Sequence, residues 1–399
     1  MLFSSMIFLW LFLPVVFILY YIIDKRFRNV LLLIASIIFY AWGGVSYTLI
    51  MFSSIIINYL FALLINKVIE ESNKFKKKVY LALCVIVNLS ILGYFKYTDF
   101  AISIINSISG KEVISLKNIV LTIGISFYTF QALSYVIDVY REHNKAQKNI
   151  INLALYISFF PQLIAGPIVK YHDIDSQITN RTESLENISY GIKRFIYGLS
   201  KKVILANMFA LSCYEILKQP IGDIGTILVW LAAILYTLQI YYDFSGYSDM
   251  AIGLGHMFGF KFLENFNYPY ISKSVQEFWR RWHISLSTWF KEYLYIPLGG
   301  NRKGKYFTYL NLLIVFFATG LWHGASFNFI LWSLWHGLFL VIERIFLGSL
   351  LDKNKLKFIN HIYVILVFVL GWVLFRANDL SHALDLYKLM FSYHESPSQ

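Results

Sequence analysis

The sequence predicts an all-α, polytopic membrane protein of about ten or more transmembrane helices, and three observations carry that prediction. First, 58% of the 399 residues are hydrophobic and the mean hydropathy is +0.58, more apolar side chain than one soluble core of this length hides. Second, the apolar residues arrive in runs of roughly 20, the length of a membrane-crossing helix. Third, the runs are continuous and rich in Leu, Ile and Phe, whereas the strands of a barrel would alternate apolar and polar over about ten residues.

Residues 2–23 have no basic stretch before them and no small-residue cleavage site after them, so they read as a retained span stopped by Asp24, Lys25, Arg26 and Arg28. Apolar runs 30–42 and 47–65, joined at Gly43-Gly44, separate two basic loops, 25–28 and 67–78. Both loops are placed on the cytoplasmic side, with the N-terminus outside. Residues 79–97 go back out, 119–140 return, and the basic loop 141–148 is again cytoplasmic. Residues 150–170 contain Pro161 and Gly166-Pro167, which predicts a broken or re-entrant segment. Such backbone is tolerated at membrane depth where it is buried in protein or lines a wet cavity. Residues 172–187 read as a polar loop, 188–218 as a helix interrupted at Lys201-Lys202, and 225–242 as a span running into Asp243.

From Ser274 the spacing predicts a single amphipathic helix, too polar to span: Trp279, Trp282, His283, Leu286, Trp289 and Phe290 share one face, with Arg281, Ser285 and Thr288 away from it. A turn-rich basic loop, 296–305, follows and reads as cytoplasmic. Three apolar segments, 306–321, 327–346 and 358–375, complete the pattern. The chain is expected to be one membrane-embedded domain over 1–399, with N-terminal helices in 1–140, a catalytic core in 150–376 and a polar, amphipathic tail in 377–399.

Net charge of +12 would in a soluble protein raise nucleic-acid binding; here the cations sit in short connecting loops, the pattern of cytoplasmic loops in membrane proteins. No nucleic-acid partner is expected. Cys84 and Cys213 lie within apolar segments without CxxC spacing and read as packing residues.

The chemistry is expected between Asp243 and His336, which gathers most of the tryptophans and three Trp-His pairs, Trp282-His283, Trp322-His323 and Trp335-His336. His323 is bracketed by Gly320 and Gly324 near the end of an apolar helix, where small neighbours admit another backbone or a substrate. Its functional reading is a general base; the competing one is a histidine that only bonds between helices. His283 lies on the aromatic face described above. A metal is not expected, because neither histidine has a third ligand at helical spacing. His336 reads as a packing residue. Asp243 and Asp249 would each be costly at bilayer depth without a partner; orienting a histidine or bonding a broken helix end, and holding a structural polar network, are equally open roles. The glycines from Gly253 to Gly259 fail the dinucleotide fingerprint in spacing. Lys201, Lys202, Arg280, Arg281, Arg302, Lys303 and Lys305 suit either a phosphate-bearing donor or interfacial anchoring.

Several long motifs resemble the membrane-bound O-acyltransferase family, in its alginate O-acetylase branch rather than the D-alanyl transfer branch. They are Tyr242-Asp243-Phe244-Ser245-Gly246-Tyr247-Ser248-Asp249, Glu264-Asn265-Phe266-Asn267-Tyr268-Pro269-Tyr270, Glu277-Phe278-Trp279-Arg280-Arg281-Trp282-His283-Ile284-Ser285-Leu286-Ser287, Tyr295-Ile296-Pro297-Leu298-Gly299-Gly300-Asn301 and Thr319-Gly320-Leu321-Trp322-His323-Gly324. The opening Leu2-Phe3-Ser4-Ser5 with Phe12-Leu13-Pro14, and Phe160-Pro161-Gln162 through Gly166-Pro167, are similar too. The chain is also similar to the membrane component of peptidoglycan O-acetyltransferases.

The resemblance implies a ring of helices around a central tunnel, His323 as the catalytic histidine and His283 as the second family histidine. It implies a cytoplasmic thioester donor, acetyl-CoA, used as co-substrate with no bound cofactor. The acceptor is an extracytoplasmic polysaccharide, alginate-like or peptidoglycan, reached through a partner of the SGNH-hydrolase type, and the location is the bacterial inner membrane. Members of the branch usually continue beyond the region of Trp372–Arg376 with further membrane segments. The expected donor tunnel involves Asp243, Trp279, Arg281, Trp282, Trp289 and Trp322, the tryptophans excluding water from the thioester. Two other classes compete: a transporter or flippase, favoured by broken helices and intramembrane ionisable residues, and a lipid or protein acyltransferase working on one leaflet.

Overall fold

A computed structural model describes residues 1–120 and 122–395, and every regular element among them is helical. Leu121, inside the expected span 119–140, and the last four residues of the tail 377–399 lie outside the described residues. Among the described residues six helices are long and apolar enough to cross a membrane, and Phe8–Ile22 is a shorter apolar helix. The expected ten or more is reached only by counting helices too short or too polar to qualify alone. The chain divides into two compact units, residues 1–199 with 247–263 and residues 200–246 with 264–399.

The first unit begins with a π-helical turn, Phe8–Phe12, that runs into α1 (Leu13–Ile22). Then come α2 (Arg28–Ala41) and α3 (Val45–Glu70), hinged at Gly43-Gly44 as expected. α4 (Lys74–Ser109) is far longer than the apolar run 79–97, because Asn73 caps it by accepting from the Lys76 amide and the lysine-rich stretch becomes its first turns. α5 (Ile125–Tyr140) starts later than the expected residue 119, directly behind Gly124, whose φ of +77° suits glycine. The proline-containing segment is broken as predicted, into α6 (Ile150–Ser158) and α7 (Phe160–Leu163), with Pro161 in the first turn of α7.

Residues 172–187 are not simply a loop. α8 (Tyr171–Thr179) buries Tyr171, Ile174 and Ile178 at i, i+3 and i+7, a narrow stripe that the surrounding polar residues mask. α9 (Leu185–Ser200) and α10 (Asn207–Leu217) are joined through a π-helical stretch, Lys201–Ala206, so the expected interruption at Lys201-Lys202 is a widening of one helix. α11 (Thr226–Met257) runs on past Asp243 without a break. Within the first unit α9 and α11 touch through glycine: a Cβ on Gly253 would stand 2.6 Å from the Gly191 carbonyl oxygen, which accounts for the glycines that fail as a dinucleotide motif. Several buried charges of that unit are paired. Arg28 meets Glu183 at 2.8 Å, Arg194 meets Asp249 at 2.6 Å, and the Tyr20 hydroxyl donates to Glu183 at 2.7 Å.

The second unit carries two short helices, α12 (Val275–Arg281) and α13 (Ile284–Phe290), where the sequence predicts one. The pair is followed by a π-helical turn, Lys291–Tyr295, then α14 (Lys305–His323) and α15 (Phe327–Ile342). A further π-helical turn, Glu343–Leu347, leads into α16 (Gly348–Lys353), α17 (Lys357–Arg376) and α18 (Leu380–Phe391). The tail is amphipathic as expected: α18 buries Ala383, Leu386 and Met390, the last two against Val229 and Ala233 of α11 and Val369 and Val373 of α17. α14 and α15 form an antiparallel hairpin across Gly324–Ser326. A Cβ on Gly320 would stand 2.7 Å from the Phe329 carbonyl oxygen, so only glycine lets the two backbones meet beside His323.

Candidate active site

The break between α12 and α13 falls on His283. Its φ of +43° and ψ of +55° place it in the left-handed region, which a residue with a Cβ occupies at a cost of about 1 to 3 kcal/mol and mostly where the surroundings impose it. The segment around Asn265 imposes it here. The Ile284 amide donates to the Asn265 carbonyl at 2.9 Å and the Asn267 amide donates to the Arg281 carbonyl at 2.9 Å. The expected continuous helical face therefore does not exist: Trp279 and Trp282 precede the corner, and Leu286, Trp289 and Phe290 follow it.

His283 is buried, at 1% exposure, and its Nδ1 lies 3.1 Å from the Asn265 side-chain oxygen. The Ser285 amide also donates to that oxygen, at 3.1 Å, and the Ser285 hydroxyl donates at 2.9 Å. A backbone N–H can only donate, so the Asn265 atom is the oxygen and Nδ1 of His283 must carry the proton. Nε2 is then a lone-pair acceptor, buried and without a hydrogen-bond partner among the described residues. Burial holds the ring well below its usual value of 6.5, and the neighbouring His323 pushes the same way.

His323 is the last residue of α14 and is half-buried. Trp322 links the two histidines, its ring centre 5.9 Å from that of His283 and 4.9 Å from that of His323. Trp332 and Phe375 complete the setting of His323, at 4.9 and 5.5 Å. His336 is fully buried and stacks on Phe368 at 4.4 Å, with Trp279 and Trp332 at its edges. Neither of its nitrogens has a hydrogen-bond partner among the described residues.

A cavity of about 610 Å³ lies beside α14, within the range of small-molecule sites. Leu312, Val315, Phe316 and Thr319 line it, at i, i+3, i+4 and i+7, and His323 continues the same helical face one turn further. Lys273, Arg280, Lys291, Arg344 and Lys357 contribute to the rest of the wall with Glu277, Glu343 and Asp352. Glu343 accepts from the Val275 and Gln276 amides at 2.6 and 3.0 Å and from the Tyr363 hydroxyl at 3.2 Å. Its carboxylate is therefore bound to the start of α12.

The expected tunnel residues separate into groups. Trp279 lines the cavity and Trp322 bridges the histidines. Trp282 packs among Phe266, Phe278 and Trp372 in the core, and Trp289 stacks with Phe290 and Tyr293, outside the lining of this cavity. Arg281 pairs with Glu277 at 2.9 Å and donates to the Asn267 carbonyl at 3.1 Å, holding the corner, while Arg280 beside it faces the cavity. Burial pushes the Glu277 carboxyl up, but the Lys273 amide and the Arg281 guanidinium prevail and hold it below its usual 4.5. Asp243 meets Lys202 at 2.6 Å, so the requirement of a partner is met for Asp243 as for Asp249. The atom that orients His283 belongs to Asn265. Asn265 and Glu343 were missed. Glu343 could have been found as a carboxylate in an apolar run; Asn265 carries no periodic signal.

Two imidazoles joined by the Trp322 ring, one of them on the helical face that lines a cavity walled by both cations and carboxylates, offer a neutral nitrogen to take a proton. The chain belongs to the membrane-bound O-acyltransferase family, whose model matches residues 82–382, and it is a multi-pass membrane O-acyltransferase. It is 47% identical over 401 aligned residues to a protein of Pseudomonas putida named probable alginate O-acetylase, covering 98% of this chain and 81% of that protein. A peptidoglycan O-acetyltransferase of Helicobacter pylori is 37% identical over 98% of this chain and 80% of its own length. A teichoic acid D-alanyltransferase of Bacillus subtilis is 30% identical over 57% of this chain and 60% of its own length. The transporter alternative is thereby set aside.

Proposed function

We propose that the enzyme moves an acetyl group from cytoplasmic acetyl-CoA, through a tunnel between its helices, for O-acetylation of an extracytoplasmic polysaccharide, and that it does so in the bacterial inner membrane. The observation that carries this reading is the common face of α14, on which four cavity-lining residues lead to His323. Arg280 and Lys291 border that cavity and suit the phosphates of the donor. His323 takes the proton of an acceptor hydroxyl as its oxygen attacks the thioester carbonyl; the C–S bond breaks, and the thiolate recovers the proton from His323 as free CoA leaves. His283, neutral and with Nε2 as acceptor, assists beside it. The names of the Pseudomonas and Helicobacter relatives support acetyl as the group and a cell-envelope polymer as its destination. A partner of the SGNH-hydrolase type relays the acetyl group to that polymer.

Purified enzyme given acetyl-CoA and the extracytoplasmic acceptor should release CoA and yield the O-acetyl ester. His323→Ala should lower turnover by about 10²-fold or more while the protein remains folded. Undiminished turnover in that variant overturns the mechanism, and labelled acetate in lipid rather than polymer overturns the acceptor.

A further inference from the structure

The amide of Asn265 is an unusual partner for a buried histidine in an apolar site, because it fixes the ring's proton without offering a counter-charge. Three donors converge on one oxygen: the Ser285 amide, the Ser285 hydroxyl and Nδ1–H of His283. The same residue's carbonyl takes the Ile284 amide, so one side chain and its own backbone set both the left-handed turn of His283 and the direction of its imidazole. Facing that imidazole are Phe244 of α11, at 4.6 Å between ring centres, Phe266, Trp322 of α14 and the Ser285 hydroxyl. The titratable neighbour that acts on it is His323.

We propose that Asn265 is a positioning residue of the transferase: it holds His283 in the Nδ1–H tautomer, so that Nε2 presents a lone pair towards the proton-transfer site and never an N–H. This rests on the acyl-transfer reading of the site. The physical consequence is directional. When His323 takes the acceptor's proton, positive charge develops there, and a lone pair nearby stabilises it where the opposite tautomer would repel it. His283 keeps the same proton throughout, and the proton that moves passes from hydroxyl to His323 to thiolate. A side chain at residue 265 without an oxygen leaves the ring free to rotate or to change tautomer, and in other enzymes the wrong tautomer is costly even with the geometry intact.

The test uses the full-length protein in detergent with acetyl-CoA and acceptor, reading kcat, donor KM and the pH–rate profile. Asn265→Leu, similar in size and without an acceptor, should lower kcat by about 10²-fold with donor KM within about twofold. Asn265→Asp keeps an oxygen on Nδ1 and should retain most of kcat, with the acidic limb of the profile moved to higher pH because a negative charge beside the pair favours protonation. Ser285→Ala, which removes one donor and leaves the Nδ1 contact, should stay within about threefold of wild type. Folded Asn265→Leu with unchanged kcat overturns the proposal. So does folded Asn265→Asp that is inactive at every pH, or a loss in Ser285→Ala as large as that in Asn265→Leu. If the wild type itself transfers no acetyl group, the acyl-transfer reading has failed instead, which is a separable result.

Discussion

Two histidines, one in each compact unit, make nearly the same contact in opposite settings. In the first unit Nδ1 of His172 lies 2.9 Å from the Asp138 carboxylate and Nε2 lies 3.3 Å from Asp173. In the second, Nδ1 of His283 lies 3.1 Å from the Asn265 amide oxygen, and Nε2 has no hydrogen-bond partner among the described residues. A ring whose two nitrogens both face carboxylates leaves neither nitrogen open to a substrate. A ring with one neutral acceptor leaves one nitrogen open. The contrast extends to the surroundings, since the first unit closes its buried polar groups with ion pairs such as Arg28–Glu183, whereas the second surrounds its imidazoles with indole and phenyl rings.

The sharpest way to break this comparison is to remove both rings. His283→Ala should lower acetyl transfer by about 10²-fold to 10³-fold, and His172→Gln should leave turnover per folded molecule within about twofold. Equal losses, read by CoA release on matched folded samples, would erase the distinction. Next, Glu183→Gln should destabilise the first unit by about 3 kcal/mol, because Arg28 keeps a buried charge without its partner; thermal unfolding measures it. Burial works to raise the Glu183 carboxyl, but the Tyr20 hydroxyl and the Arg28 and Arg181 guanidiniums outweigh it and hold the group below its usual 4.5. A depressed carboxylate contributes stability above its unfolded value and loses it as pH falls through the folded one, so wild type should lose this increment below about pH 4.5 and Glu183→Gln should not.

A smaller effect is expected at the cavity. Arg280→Ala combined with Lys291→Ala should raise the acetyl-CoA KM about tenfold, roughly 1.4 kcal/mol, with kcat little changed; a fall in kcat at constant KM would move these residues from binding to chemistry. The smallest effect should come from His336→Phe. That ring stacks on Phe368, and its nitrogens have no hydrogen-bond partner among the described residues, so an apolar ring of similar shape should be neutral or slightly stabilising, with turnover within about twofold. A large loss of turnover would place a third histidine in the chemistry.

Fold class and most helices were legible because apolar length and proline are local signals. The break at Phe159, the Gly43-Gly44 hinge and the close approach at Gly320 all follow from such signals. The break at His283 was not legible. Residues 274–290 satisfy a helical period through the corner, and what ends the helix is a segment near residue 265 whose hydrogen bonds come from tertiary pairing. Asn265 was hidden for the same reason: an asparagine in a loop reads as a turn former until its oxygen is seen between Ser285 and His283. Arg280 and Arg281 could not be told apart by type, since helical direction and the position of Glu277 decide which one faces the cavity.

The face of α14 that runs from Leu312 to His323 also sets a length. Eleven residues at 1.5 Å each make about 16 Å along the axis from Leu312 to His323, and Thr319, the lining residue nearest the histidine, stands one turn, about 6 Å, before it. The helix is thus a gauge as well as a wall, and one added turn between Thr319 and His323 would move the histidine about 5 Å further from the cavity.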